Sequence, residues 1–377
     1  MIETPSFLWT ILFFVLAISP LVFIHEMGHY LVGRWCGVKA EAFSIGFGRA
    51  IAKWTDKRGT AWQIGWLPLG GYVRFAGDMG VSSQADPDWL KLPADERNKT
   101  FQSKKLWQRT LIILAGPMTN FLFAIIMLIG LLGLYGEIRI APVVGDFAPQ
   151  STARDAGMQR GDRILAVAGQ SVASFEDVGL YVQPRAGQAT AFDIERKGQR
   201  LTINATPRAE KVKDITGVEV TTARIGIGPF GYERVRLPAY ELPGAAVRFT
   251  INSVKTMTVV LTQTITGERS VKELGGPVKI ATTSNAVAKL GLVTFLFFMV
   301  AISINLGFIN LLPIPMLDGG HLLFYAIEAV RRKPVPAAAQ EWAYRSGLLA
   351  LLLFMLVVTV NDLAGLGLWR GFAGLIG

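Results

Sequence analysis

The stretch Phe23-Ile24-His25-Glu26-Met27-Gly28-His29-Tyr30 decides how the rest of the chain is read. It carries the pattern H-E-x-x-H. Histidines four residues apart share one face of a helix, so both rings can reach one metal ion, and the Glu between them can act as a general base toward water. The pattern alone is only moderately specific, but its setting narrows it. It closes a charge-free run of 20 residues from Pro5 to Ile24, about the length that crosses the hydrocarbon core of a bilayer. Ionisable groups at membrane depth are costly and normally functional. The chain has three histidines, two of them in this motif. The competing reading makes His25 and His29 polar groups bonded to neighbouring helices, with Glu26 at the interface. The complete motif inside an apolar helix favours the metal.

Composition sets the class. The chain has 377 residues, 18% of them charged, and a mean hydropathy of +0.38. That is apolar for a soluble protein of this size and too polar for spans alone. A membrane part plus a soluble part is expected. The net charge of +10 fits loops facing anionic lipid, so the bilayer and not nucleic acid is the expected partner. The single cysteine, Cys36, excludes an intrachain disulfide and a Cys-rich zinc site. Glu3 is the only charge before His25. Without a basic leader region, the first apolar run reads as a retained span.

Four spans are expected. The first runs from Phe7 to Val32, with a kink at Pro20. A basic segment from Arg34 to Arg109 follows. In it, 42–48, 61–66 and 72–75 read as short strands, broken by Pro68, Gly70 and Gly71. They form either a β hairpin dipping into the membrane or an ordinary cytoplasmic hairpin. Asp78 to Thr100 reads as a loop. The second span, Thr110 to Gly136, is 27 residues without charge. It contains Ala115-Gly116-Pro117 and the polar Asn120, which serves either as a helix–helix hydrogen bond or at a site. The third span starts after Lys289. It ends in Asn310-Leu311-Leu312-Pro313-Ile314-Pro315-Met316-Leu317-Asp318-Gly319-Gly320-His321, where prolines and glycines break the helix beside a lone acid. The fourth covers Ser346 to Val360 and extends toward the apolar tail after Asp362.

Between spans two and three the chain is soluble in character. The run Gly161-Asp162-Arg163-Ile164-Leu165-Ala166-Val167-Ala168-Gly169-Gln170-Ser171-Val172, with strands at 190–196 and 200–205, resembles a PDZ domain. Such modules bind extended peptides or chain ends at a sheet edge. Further strand-like pieces follow, such as 218–220 and 224–227. An amphipathic helix is expected over 245–266.

The basic loop at Arg331-Arg332-Lys333 places the span three–four connection in the cytoplasm. The first loop is then inside and the PDZ-like region outside. His29 lies five residues before Arg34, roughly 7–8 Å along a helix. Asp318 lies 13 residues before Arg331, about 20 Å if helical. Both can meet in the inner half of the membrane. A catalytic zinc site takes three protein ligands and keeps one open position. Asp318 is the favoured third ligand, and His321 its competitor.

With these motifs in place, the sequence resembles the site-2 protease family of intramembrane zinc metalloproteases. It is similar to bacterial members of the regulator of sigma-E protease type, which cut membrane-spanning anti-sigma factors. The motif at His25–His29, the motif Asn310 to Gly319 and the PDZ-like insert carry the resemblance across essentially the whole chain. It implies a multi-pass α-helical membrane protein of four spans, with a membrane-associated β hairpin or sheet and an inserted periplasmic PDZ-like domain, in the inner membrane. It implies one Zn2+ held by His25, His29 and Asp318, with Glu26 as catalytic base. Asn310 and Pro315 would contact substrate, a single-span membrane protein. The enteric sigma-E-type protease has two PDZ domains in tandem, whereas this chain has one such run. The expected domains are an N-terminal membrane part (1–136), a PDZ-like domain (137–210), a linker with strands and an amphipathic helix (211–289), and a C-terminal membrane part (290–377). An ion transporter and a catalytically silent scaffold are the rival readings.

Overall fold

The computed structural model describes residues 7–77, 92–213, 219–267 and 276–365. The chain opens with helix α1 (Phe7–Trp35). Strands β1 (Ala40–Thr55) and β2 (Ala61–Phe75) follow, then the single-turn helix α2 (Ala94–Arg97) and helix α3 (Leu106–Tyr135). Next come β3 (Glu137–Ile140), β4 (Val144–Phe147), α4 (Thr152–Asp155), β5 (Arg163–Val167), β6 (Gln170–Ser171), α5 (Phe175–Val182), β7 (Thr190–Arg196) and β8 (Gln199–Ala205). Strands β9 (Arg208–Lys213), β10 (Glu219–Arg224), β11 (Ile227–Pro229) and β12 (Tyr232–Val235) complete the β-rich part. Helices α6 (Leu242–Thr266), α7 (Pro277–Lys289), α8 (Leu292–Asn310), α9 (Asp318–Arg331) and α10 (Ala337–Gly365) close the chain. Most of the expected loop at 78–100, the glycine at 275, the strand start at 218 and the apolar tail from 366 lie outside the described residues.

Four described helices are long and apolar enough to cross a bilayer: α1, α3, α8 and the stretch Ala338–Leu363 of α10. The chain divides into two compact units. One is built from residues 1–130, 243–264 and 270–377, the other from 131–242 with 265–269.

In the first unit, α1 buries Ala17, Leu21, His25, Gly28 and His29 along one stripe, the spacing of a single helix face. Pro20 lies inside the helix without ending it. The Thr119 hydroxyl of α3 donates to the Ile24 carbonyl of α1 at 3.1 Å. Aromatic packing seats the small sheet on α1. Phe43 stacks on Trp62 with centroids 4.4 Å apart, and both Phe23 and Tyr30 meet Phe43 edge-on at 5.8 Å.

This sheet differs from the expected hairpin of short strands. Pro68, Gly70 and Gly71 do not end β2, which runs unbroken to Phe75. The inner part of β1 has partners on both sides, with Phe43 opposite both Val73 and Trp62, and Ser44 opposite both Tyr72 and Gln63. Two long strands therefore fold back on one another. Positive φ at Gly46 (84°) and Gly70 (91°) supplies the bends.

Beyond α8, residues 311–317 leave the helix, and α9 starts at Asp318. The Arg109 guanidinium of α3 binds Glu328 of α9 at 2.8 Å and lies over the Tyr325 ring. The Asp362 carboxylate of α10 accepts from the amides of Gly276 and Lys279 at 3.0 and 2.9 Å, capping α7.

The second unit holds a four-stranded sheet in the order β6-β5-β7-β8. Its core gathers Val144, Ile164, Val167, Val178, Phe192, Ile194 and Ile225. Burying each such side chain stabilises the fold by roughly 1.5–3 kcal/mol. The expected boundary at 210 falls inside this unit. Strand β12 pairs with β3 and β11 with β4, and Arg163 of β5 binds Glu233 of β12 through two 3.0 Å hydrogen bonds. The region to Leu242 is therefore part of the β domain and not a linker.

Asp162 is buried in this domain and accepts from Arg196 Nε at 2.7 Å, Arg196 Nη2 at 2.6 Å and the Gln159 amide at 2.7 Å. Burial pushes its carboxyl upward, and the Arg196 and Gln159 hydrogen bonds, with the guanidinium charge, bring it below its ordinary value. A depressed carboxylate stabilises the fold fully above the unfolded-state value near pH 4, and that contribution is lost as pH falls further. Arg196→Leu is expected to cost about 2 kcal/mol at neutral pH. Amide exchange in β7 of the intact chain should then quicken roughly 30-fold. Unchanged exchange would contradict this account.

Candidate metal centre

The buried stripe of α1 aims His25 and His29 toward α3 and the start of α9. Their Nε2 atoms are 3.2 Å apart. Asp318 Oδ2 lies 3.1 Å from His25 Nε2 and 3.5 Å from His29 Nε2. His25 and His29 are both buried, at 7% exposure. Asp318 Oδ2 is buried too, with no described hydrogen-bond partner apart from the imidazoles it faces. Three donor atoms thus close a triangle of 3.1–3.5 Å. Ligands on a tetrahedral zinc ion at 2.0–2.2 Å stand about 3.3–3.5 Å apart. Two nitrogens and one carboxylate oxygen at this spacing fit one such ion and leave a fourth position free.

Local structure explains how Asp318 reaches the histidines. Met316 has φ of 84°, a left-handed residue that turns the chain from the 311–315 segment into α9. A side chain at Gly319 would place its Cβ 2.2 Å from the Leu312 carbonyl oxygen. Only a glycine lets the first turn of α9 rest on that backbone.

His29 Nδ1 lies 2.8 Å from the Ile112 carbonyl oxygen. A carbonyl only accepts, so Nδ1 carries the proton and Nε2 presents its lone pair to the triangle. His321 does not join the triangle. Its Nδ1 is 2.8 Å from the Tyr344 hydroxyl, and among the described residues the metal-competent cluster is His25, His29 and Asp318.

A cavity of ≈ 560 Å³ opens onto the triangle. Glu26 and His321 line it, as do Gly70, Gly71, Tyr72 and Val73 of β2, and Leu306 and Asn310 of α8. Glu26 is buried against β2, where a Cβ at Gly71 would come within 3.0 Å of its Cγ. Asn310 Nδ2 lies 3.5 Å from His25 Nε2. Pro315 is not part of the cavity wall. Its ring packs against α10, where a Cβ at Gly347 would come within 2.6 Å of it. Sequence reasoning missed Tyr344, whose only signal is a tyrosine at the start of an apolar helix.

The model of peptidase family M50 matches residues 13–354. The chain belongs to this family. Similar proteins carry metalloprotease names. A candidate zinc metalloprotease of Mesorhizobium japonicum is 42% identical over 95% of this chain and 100% of its own length. One of Agrobacterium fabrum is 40% identical over 94% and 95%. Metalloprotease MmpA of Caulobacter vibrioides is 36% identical over 98% and 99%. A PDZ domain of an SdrC-like protein from Listeria monocytogenes, 19% identical, aligns with 24% of this chain and 87% of its own at a TM-score of 0.20, too slight to carry an argument. This M50 peptidase is a membrane-embedded metalloprotease, and its donor triangle suits the zinc cofactor.

Gly319→Ala is expected to displace Asp318 and weaken zinc binding at least tenfold, measured by chelator competition on the purified chain. Gly130→Ala, where a Cβ meets nothing within 4 Å, should leave it unchanged. Equal affinities in the two variants would contradict the role given to the Gly319 contact.

Proposed function

We propose that this chain is a zinc-dependent endoprotease that cuts transmembrane segments of single-span membrane proteins, anti-sigma-factor-like substrates among them. The observation that carries this reading is one cavity holding both the donor triangle and Glu26, walled by apolar helix side chains and by β2 backbone. His25, His29 and Asp318 hold one zinc ion. When bound, zinc supplies a Lewis acid that acidifies a water and polarises a carbonyl. Glu26 takes a proton from the attacking water and delivers it to the leaving amide nitrogen.

A helical substrate hides its peptide bonds in its own hydrogen bonds, so it must unwind before cleavage. The β2 backbone at Gly70–Val73 offers an unwound segment strand-type pairing. Asn310 bonds the extended backbone beside the reacting carbonyl. Pro315 acts from behind, by holding the 311–317 segment against α10. The basic 331–333 loop supports a cytoplasmic placement for the triangle's side of the membrane, and the β domain then lies in the periplasm. There it excludes substrates with bulky outer domains or binds a chain end left by an earlier cut.

The test uses a tagged single-span protein with its outer domain trimmed, co-expressed with this chain. Glu26→Gln should lower product at least about 100-fold while zinc stays bound. Full activity in that variant would remove Glu26 from the chemistry. No product from the parent chain across several substrates, with zinc bound, would favour a binding scaffold.

A further inference from the structure

Asn120 is fully buried on α3. Its side-chain amide sits beside the metal centre, with Nδ2 3.1 Å from His25 Nδ1. Its Oδ1 is buried and has no hydrogen-bond partner. Its backbone carbonyl accepts from the Ser303 hydroxyl at 2.8 Å, which pins this turn of α3 to α8.

The two ends of an amide exchange places by a half-turn, and only the hydrogen-bond network assigns them. Either orientation leaves one end without a described partner, so His25 makes the choice. An NH2 pointing at Nδ1 would force the ring proton onto Nε2. That is the atom facing His29 Nε2 at 3.2 Å and Asp318 Oδ2 at 3.1 Å. A protonated Nε2 cannot ligate a metal. An amide oxygen in the same place accepts from Nδ1–H and leaves the Nε2 lone pair free.

His29 follows the same logic through the Ile112 carbonyl, 2.8 Å from its Nδ1. Ile112, Gly116 and Asn120 are spaced by four residues, one face of α3. Gly116 lies between the two outer positions. A Cβ there would come within 2.2 Å of His29 Nε2 and 2.9 Å of His25 Nε2. The face is shaped to both rings at once.

We propose that Asn120 is a positioning residue of the metal centre. Its side-chain oxygen accepts the His25 Nδ1 proton, fixing the tautomer that ligates, while the Ile112 carbonyl does the same for His29. This rests on the assignment of His25, His29 and Asp318 as zinc ligands. It gives Asn120 a different duty from a plain helix–helix bond or a substrate contact.

The experiment measures apparent zinc affinity by chelator competition on the detergent-purified full chain, for the parent, Asn120→Asp, Asn120→Leu and Asn120→Thr. Loss of the acceptor in Asn120→Leu should weaken binding 10- to 100-fold, the range for outer partners of metal-bound histidines. Asn120→Asp, which only accepts, should bind zinc at least as tightly as the parent. Asn120→Thr keeps a small polar group, reaches less far and should fall between them; it stands in if the leucine variant does not fold. Unchanged affinity in Asn120→Leu or Asn120→Thr, with raised KM for a model substrate, overturns the proposal in favour of a substrate contact. Affinity lost equally in Asn120→Asp overturns it in favour of packing alone. A parent chain that takes up no zinc overturns the ligand assignment itself, a separate result.

Discussion

Two imidazole nitrogens and a carboxylate oxygen stand within 3.5 Å of one another at the centre of an apolar helix bundle. Taking such groups out of water is expensive, and near-contact of two ring lone pairs adds repulsion. A divalent cation between them resolves both costs, because all three atoms then point at one charge. The surrounding contacts make sense as devices that hold this triangle. The α1 stripe aims the two rings, the Ile112 carbonyl fixes one of them, and the turn at Met316 and Gly319 brings the acid across from α9.

The same constraint explains why irregular backbone sits at this depth. A broken helix is tolerated among apolar spans only where it is packed on protein or lines a cavity. Residues 311–317 meet that condition, with Met316 and Leu317 in the cavity wall and Pro315 packed toward Gly347. The β1–β2 sheet is kept against α1 by aromatic packing around Phe43, and the Gly70–Val73 backbone lines the cavity beside Glu26. The polar and strand elements thus converge on one space.

Much of this was legible in the sequence, for local reasons. The pair His25 and His29 is a one-helix pattern, and Asp318 is a lone acid in an apolar run, so both stand out without tertiary information. Asp318 lies with the two histidines in the described donor cluster, whereas His321 Nδ1 lies 2.8 Å from the Tyr344 hydroxyl. What escaped depends on distant partners. Pro68, Gly70 and Gly71 read as punctuation, yet pairing with β1 carries β2 through them. Strands β11 and β12 looked like parts of a linker because their partners, β4 and β3, lie about 80 to 100 residues earlier. Asn120 was visible as a polar group at depth, but its nearness to His25 needs the packing of α1 on α3.

The assignment of His25, His29 and Asp318 to one zinc ion, at a position open to the cavity, underlies the proposed chemistry. Zinc-edge X-ray absorption on the purified chain, with metal analysis of the same sample, tests it most directly. The expected result is about one zinc per chain in a four-coordinate nitrogen and oxygen shell at about 2.0–2.1 Å, with scattering from two imidazoles. Zinc bound through sulfur, which would implicate Cys36, or an imidazole count that survives His25→Ala and His29→Ala together, would contradict it.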